Sequence, residues 1–99
     1  MRTLFRATFD VEASNAAVKD GRLEKLLQTT VERLNPEASY FFAQDGKRSC
    51  FFVFDMKDSS DIPAIAEPFF MEVNATVELQ PVMNADDVRA GLEKAKKNR

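Results

Sequence analysis

The sequence predicts an α+β fold, with elements in the order strand, helix, strand, strand, helix, strand, helix. Three observations carry that prediction. Residues 38–44 and 47–55 are rich in aromatic residues and flank Asp45-Gly46, a dipeptide suited to a type I′ hairpin turn because both central positions need positive φ. Residues 22–34 and 62–70 carry apolar side chains at helical spacing. Residues 2–11 and 75–82 alternate with the period of strands.

In the first strand, residues 2–11, Phe5, Ala7, Phe9 and Val11 point one way and Leu4, Arg6, Thr8 and Asp10 the other. The first set is assigned to the helix-covered core. Residues 12–21 form a connector in which Ser14 or Asn15 caps a short helical turn and Asp20-Gly21 breaks it. The main helix spans residues 22–34, with Leu23, Leu26, Leu27, Thr30, Val31 and Leu34 as its buried stripe and Asn35-Pro36 as its stop.

The hairpin register sets Gln44 opposite Lys47, Phe42 opposite Ser49 and Tyr40 opposite Phe51. Tyr40, Phe42, Phe51 and Val53 then share one face, and Phe41, Cys50, Phe52 and Phe54 the other. Both faces are aromatic, whereas a half-exposed strand alternates apolar with polar. Something must therefore cover each face. Helices serve for one, and a second copy of the chain is the expected cover for the other. Which set faces the helices depends on how the hairpin pairs with the first strand.

A helix beginning at Ser59 or Ser60 buries Ile62, Ile65, Ala66, Phe69 and Phe70, with Pro63 in its first turn. Pro68 is expected to kink or divide it, since proline lacks the backbone donor. In the strand over residues 75–82, Pro81 marks an edge or an end. Asn84 caps a last helix over residues 85–97, whose Val88, Leu92 and Ala95 make only a thin apolar stripe, with a last turn expected to fray. This order is the ferredoxin-like βαββαβ plan with an extra C-terminal helix, an antiparallel sheet ordered 4-1-3-2, and the two main helices on one face.

Ninety-nine residues make a single domain over residues 1–99. A net charge of −2 gives no pull towards nucleic acid or anionic membrane. No apolar run reaches the roughly 20 residues of a membrane span, and Arg6 and Asp10 interrupt any signal-peptide pattern. One cysteine excludes an intrachain disulfide and fits a reducing cytoplasm. The chain has no histidine, which excludes His-based catalysis and most transition-metal sites. No metal and no cofactor are expected.

Residues Arg48 to Asp55 share Arg48, Phe52 and Val53 with the RNA-binding strand of the RNA-recognition motif. They depart from it at Ser49, Cys50 and Asp55, where a glycine and two aromatics are wanted. The element order, the apolar hairpin and the closing Pro81-Val82-Met83 before a helix resemble the dimeric α/β-barrel superfamily. That superfamily includes muconolactone isomerase and cofactor-free monooxygenases. Asn15 and Gly21 before the main helix, Pro36 to Phe41 leading into the second strand, and Glu67-Pro68 are similar to an uncharacterised bacterial subgroup of it. The resemblance implies a homodimer packed sheet to sheet. No catalytic motif of a characterised member maps onto these residues, so no catalytic residue is assigned.

Seven side chains are weak ligand-binding candidates. Arg6 and Glu78, on neighbouring strands, point away from the helices, with Thr8 and Gln80 beside them. They form either a buried structural ion pair at the dimer face or a polar patch in which Arg6 grips an anion. Tyr40 and Arg48 would add a phenol and a cation, although a core aromatic and a solvated strand end are the plainer readings. Glu67 before Pro68 would suit a general base if buried, and an ordinary surface position otherwise. Cys50 reads as an inert buried thiol. The function implied is a small homodimer that binds an organic ligand between its sheets; the alternative is a cofactor-free isomerase or monooxygenase acting on a small organic acid.

Overall fold

The structure is a computed structural model and describes residues 1–98. Strand β1 (Arg2–Thr8) leads into helices α1 (Val11–Lys19) and α2 (Arg22–Leu34). The hairpin β2 (Ala38–Gln44) and β3 (Lys47–Asp55) follows, then a 3₁₀ turn (Ser59–Asp61), α3 (Ile62–Val73), β4 (Thr76–Pro81) and α4 (Ala85–Lys97). The four strands form one antiparallel sheet in the order β2-β3-β1-β4. The predicted fold class and the 4-1-3-2 order are therefore correct.

The hairpin turn forms as its residues dictate. Asp45 and Gly46 have φ of 54° and 75°, and Gln44 pairs with Lys47, Phe42 with Ser49 and Tyr40 with Phe51. The register of β3 on β1 then selects the inward face, because Phe5 sits opposite Phe52 and Ala7 opposite Cys50. Phe5, Phe52 and Phe69 are fully buried, and the Phe5 and Phe69 ring centres lie 4.9 Å apart. Ala17 of α1, Leu23 and Leu26 of α2, and Ile65 and Val73 of α3 close this core over one face of the sheet.

Three details depart from the sequence reading. The first strand stops at Thr8, and the stretch expected to be a connector is the nine-residue helix α1. Asp10, rather than Ser14 or Asn15, caps it, its carboxylate accepting from the Ala13 amide at 2.9 Å. Val11 consequently opens the helix and is exposed instead of continuing the β1 core row. Pro68 does not divide α3. The carbonyl its missing N–H would have satisfied belongs to Ala64, four residues back. Arg33 of α2 donates to that oxygen at 2.8 Å, so a neighbouring helix supplies the absent donor. Phe70, assigned to the buried side of this helix, is 45% exposed.

No residue of α4 is buried. A capping box joins Asn84 and Asp87, and Asp87 also receives Arg2 of β1, whose Nε donates to Glu37 at 2.8 Å. From that anchorage α4 stands out from the body. The radius of gyration, 15.9 Å, exceeds the about 13 Å of a compact chain of this length. Among the described residues no helix is long and apolar enough to cross a membrane.

Candidate functional site

The face of the sheet opposite the helices is the candidate site. Strand alternation brings Leu4, Arg6 and Thr8 of β1, Tyr40 and Phe42 of β2, Phe51 and Val53 of β3, and Glu78 and Gln80 of β4 to this one surface. The helices α1, α2 and α3 direct their buried residues to the other side. Leu4, Phe42, Phe51 and Val53 are half-buried, and Tyr40 is 61% exposed. The ring centre of Phe51 lies 5.3 Å from that of Tyr40 and 6.0 Å from that of Phe42, so three aromatics form a continuous row.

Arg6 stands at the middle of this surface, with Phe51 opposite it on β3 and Glu78 opposite it on β4. Its Nε is shielded from solvent and meets no hydrogen-bond acceptor. Guanidinium N–H groups are strong donors, and a shielded donor without a partner is costly. The ion pair expected with Glu78 is not among the salt bridges of the described residues, and Glu78 is exposed. Glu78 lies on the edge strand β4, where its carboxylate is open to solvent. Thr8 lines a polar hollow of about 230 Å³ with Lys47, Asn74 and Thr76 at one end of the face.

Two of the seven candidates lie elsewhere. Arg48 is on the helix-covered face of β3, and its guanidinium donates to Ser14 Oγ at 2.7 Å and Asn15 Oδ1 at 2.9 Å. It ties α1 to the sheet and is unavailable to the open face. Glu67 is exposed on α3, in the helical layer beyond the sheet. Cys50 is fully buried, and burial pushes its thiol up to about 12. It stays protonated at neutral pH and has no nucleophilic character.

Sequence reasoning missed two concave features. A cleft of about 410 Å³ opens between the end of α2, the end of β3 and the start of α3, lined by Leu34, Phe54, Met56 and Ile65 with Arg33 and Lys57. Its polar groups are largely engaged within the chain, Arg33 with Ala64 and Lys57 with Asp55. An apolar groove of about 400 Å³ lies between α2 and β2, where Leu27, Val31 and Phe41 form the floor and Glu24, Gln28 and Glu32 the rim. Phe41 is 55% exposed there although it points to the helical side of the sheet. Both features arise where an element ends or an edge strand overhangs its helix, which no local spacing encodes.

A comparison with curated proteins finds no match. A family model does match, over residues 2–96, which is nearly the whole chain and includes every strand, the open face and most of α4. The chain therefore belongs to the family described as a domain of unknown function, DUF3303.

Proposed function

We propose that the protein is a homodimer packed through its open sheet face, and that it holds a small organic anion between the two sheets at Arg6. The observation that carries the reading is Arg6 itself: a guanidinium with a shielded, unmet donor, set beside an aromatic row. A carboxylate supplies the acceptor such a group lacks, and the aromatic row offers stacking area to the remainder of the molecule. Leu4, Phe42, Phe51 and Val53 make the surrounding surface apolar, and such patches on soluble chains mark association surfaces. The resemblance of the element order and hairpin to the dimeric α/β barrels favours the same packing. Two sheets stacked at about 10 Å would enclose both copies of the Arg6 surface.

Thermal shift with a panel of small aliphatic and aromatic carboxylic acids, alongside the matching neutral amides, tests the ligand. At tenfold excess over Kd, a ligand stabilises by about 1.4 kcal/mol, or roughly 6–10 °C for a domain of this size. Acids are expected to raise Tm, amides are not, and Arg6→Gln should lose the response while keeping stability within about 1 kcal/mol of the parent. An equal response in Arg6→Gln would remove Arg6 from the reading. Turnover assays on any stabilising acid separate a binding protein from the isomerase or monooxygenase alternative, which predicts product.

A further inference from the structure

We infer that α4 is an exchange arm that docks into the α2–β2 groove of a second copy of the chain. Two surfaces on this molecule lack partners and fit one another. The first is the α4 stripe: Leu92 is 60% exposed and Val88 40% exposed, and Ala95 continues the row at helical spacing. The second is the groove whose floor is Leu27, Val31 and Phe41. A helix laid along α2 would cover all three floor residues with that stripe, the helix-in-groove mode of recognition.

Charge supports the same match. Arg89 and Lys96 lie on one flank of the stripe, seven residues and therefore about 10 Å apart along the helix. Glu24 and Glu32 lie along the rim of the groove, eight residues and about 12 Å apart, and neither has an ion-pair partner among the described residues. Arg89 and Lys96 are held only by exposed pairs within their own helix, to Asp86 at 3.0 Å and Glu93 at 3.5 Å. Pairs of that kind contribute little and exchange readily.

The chain's own groove is a poor receptor. Arg2 holds the first turn of α4 against β1 through Asp87, whereas the groove lies at the β2 edge in the helical layer. Those strands are two spacings apart, about 10 Å, and the groove is on the other side of the sheet. The long dimension of 55 Å, against 27 Å and 18 Å for the others, agrees with an arm that points away from its own body. In a second copy both constraints vanish, and a two-fold exchange makes the contact twice. The inference does not require the ligand, and it is distinguishable from the face-to-face contact.

Gly91→Cys and Gln28→Cys place a thiol beside the stripe and on the groove rim. A Cβ at Gly91 meets nothing within 4 Å, and buried Cys50 does not compete. The two single variants are mixed at micromolar concentration and treated with a short bis-maleimide. A covalent dimer containing one chain of each kind is expected, with far less product in either variant alone. Lys96→Glu and Glu32→Lys should each raise the dimer Kd on the order of fivefold, and the combination should recover most of the loss. Cross-linking within one chain of the Gly91→Cys, Gln28→Cys double variant would overturn the inference. So would absence of a mixed dimer when each thiol accepts a monofunctional maleimide. A dimer that persists unchanged in Lys96→Glu and gives no mixed product would overturn the arm while leaving the sheet-to-sheet contact standing.

Discussion

Arg6 and Arg48 are the same residue type on adjoining strands, yet strand parity sends them to opposite faces of one sheet. Arg48 is consumed by Ser14 and Asn15, and Arg6 is left with a donor to fill. Parity treats Cys50 likewise: it faces Ala7 and Phe41 in the core row, and its thiol is held up to about 12 by burial. Native protein at pH 8 is therefore expected to resist a thiol-reactive disulfide reagent and to react fully only when unfolded. Fast labelling of folded protein would show that β3 opens. Asp55 behaves in the opposite sense. Lys57, and after it the N-terminal ammonium, draw its carboxyl down to about 2 from 3.8. Its contribution to stability is complete above about pH 4 and fades as pH falls towards 2. Because the group is fully exposed the effect is modest, and Asp55→Asn should flatten the acid limb of the unfolding profile in that window and leave neutral pH nearly unchanged.

At the scale of elements, α1 and α3 both form where local sequence argued against a full helix, for different reasons. α1 is rich in Ala, Ser and Asn and shows no wide apolar stripe; only Ser14 and Ala17 are buried. Asp10 starts it and Arg48 pins it, and the second of these contacts is distant in sequence. Asp10→Ala should cost about 1 kcal/mol in chemical denaturation. α3 continues through Pro68 because Arg33 satisfies the Ala64 carbonyl. Arg33→Ala is expected to cost about 1 kcal/mol in the parent. In the Pro68→Ala background it should cost less, since residue 68 then regains an N–H for Ala64. A double-mutant cycle by urea unfolding reads that coupling, expected near 0.5–1 kcal/mol. Strict additivity would mean that Arg33 contributes nothing to carrying the helix past its proline.

At the scale of the whole molecule, one hydrophobic core serves one face of the sheet, and the other face and α4 remain without cover. Phe5→Ala, at the centre of that core, should cost about 3–5 kcal/mol, a large part of the stability of a small domain. Phe51→Asp, on the opposite face of the sheet, should leave the fold largely intact and act on association. Sedimentation equilibrium at micromolar concentration is expected to give twice 11.2 kDa for the parent and a raised dimer Kd for Phe51→Asp. A parent mass of 11.2 kDa would remove the homodimer and with it the enclosed Arg6 surface.

The sequence by itself determined the strands of the hairpin, the turn at Asp45-Gly46, the span of α2, the cap and span of α4, and, through the order of elements, the arrangement of the sheet. Each of these depends on a signal within a few residues: a period of two or 3.6, a positive-φ dipeptide, a capping side chain. Four of the seven candidate residues, Arg6, Thr8, Glu78 and Gln80, could be grouped for the same reason, since alternation within the paired first and last strands places them together. Only the tertiary structure decided which aromatic face of the hairpin turns inward. The two sets are so alike in apolar area that burial of either serves the hairpin alone, and the choice falls to the register of β3 against β1, Phe5 on Phe52. The same long-range pairing put Arg48 against α1 and set Phe41 over the groove beside α2, while the separate pairing of β4 on β1 left Glu78 exposed at the sheet edge. Those placements rest on contacts between segments far apart in the chain, and no local pattern carries them.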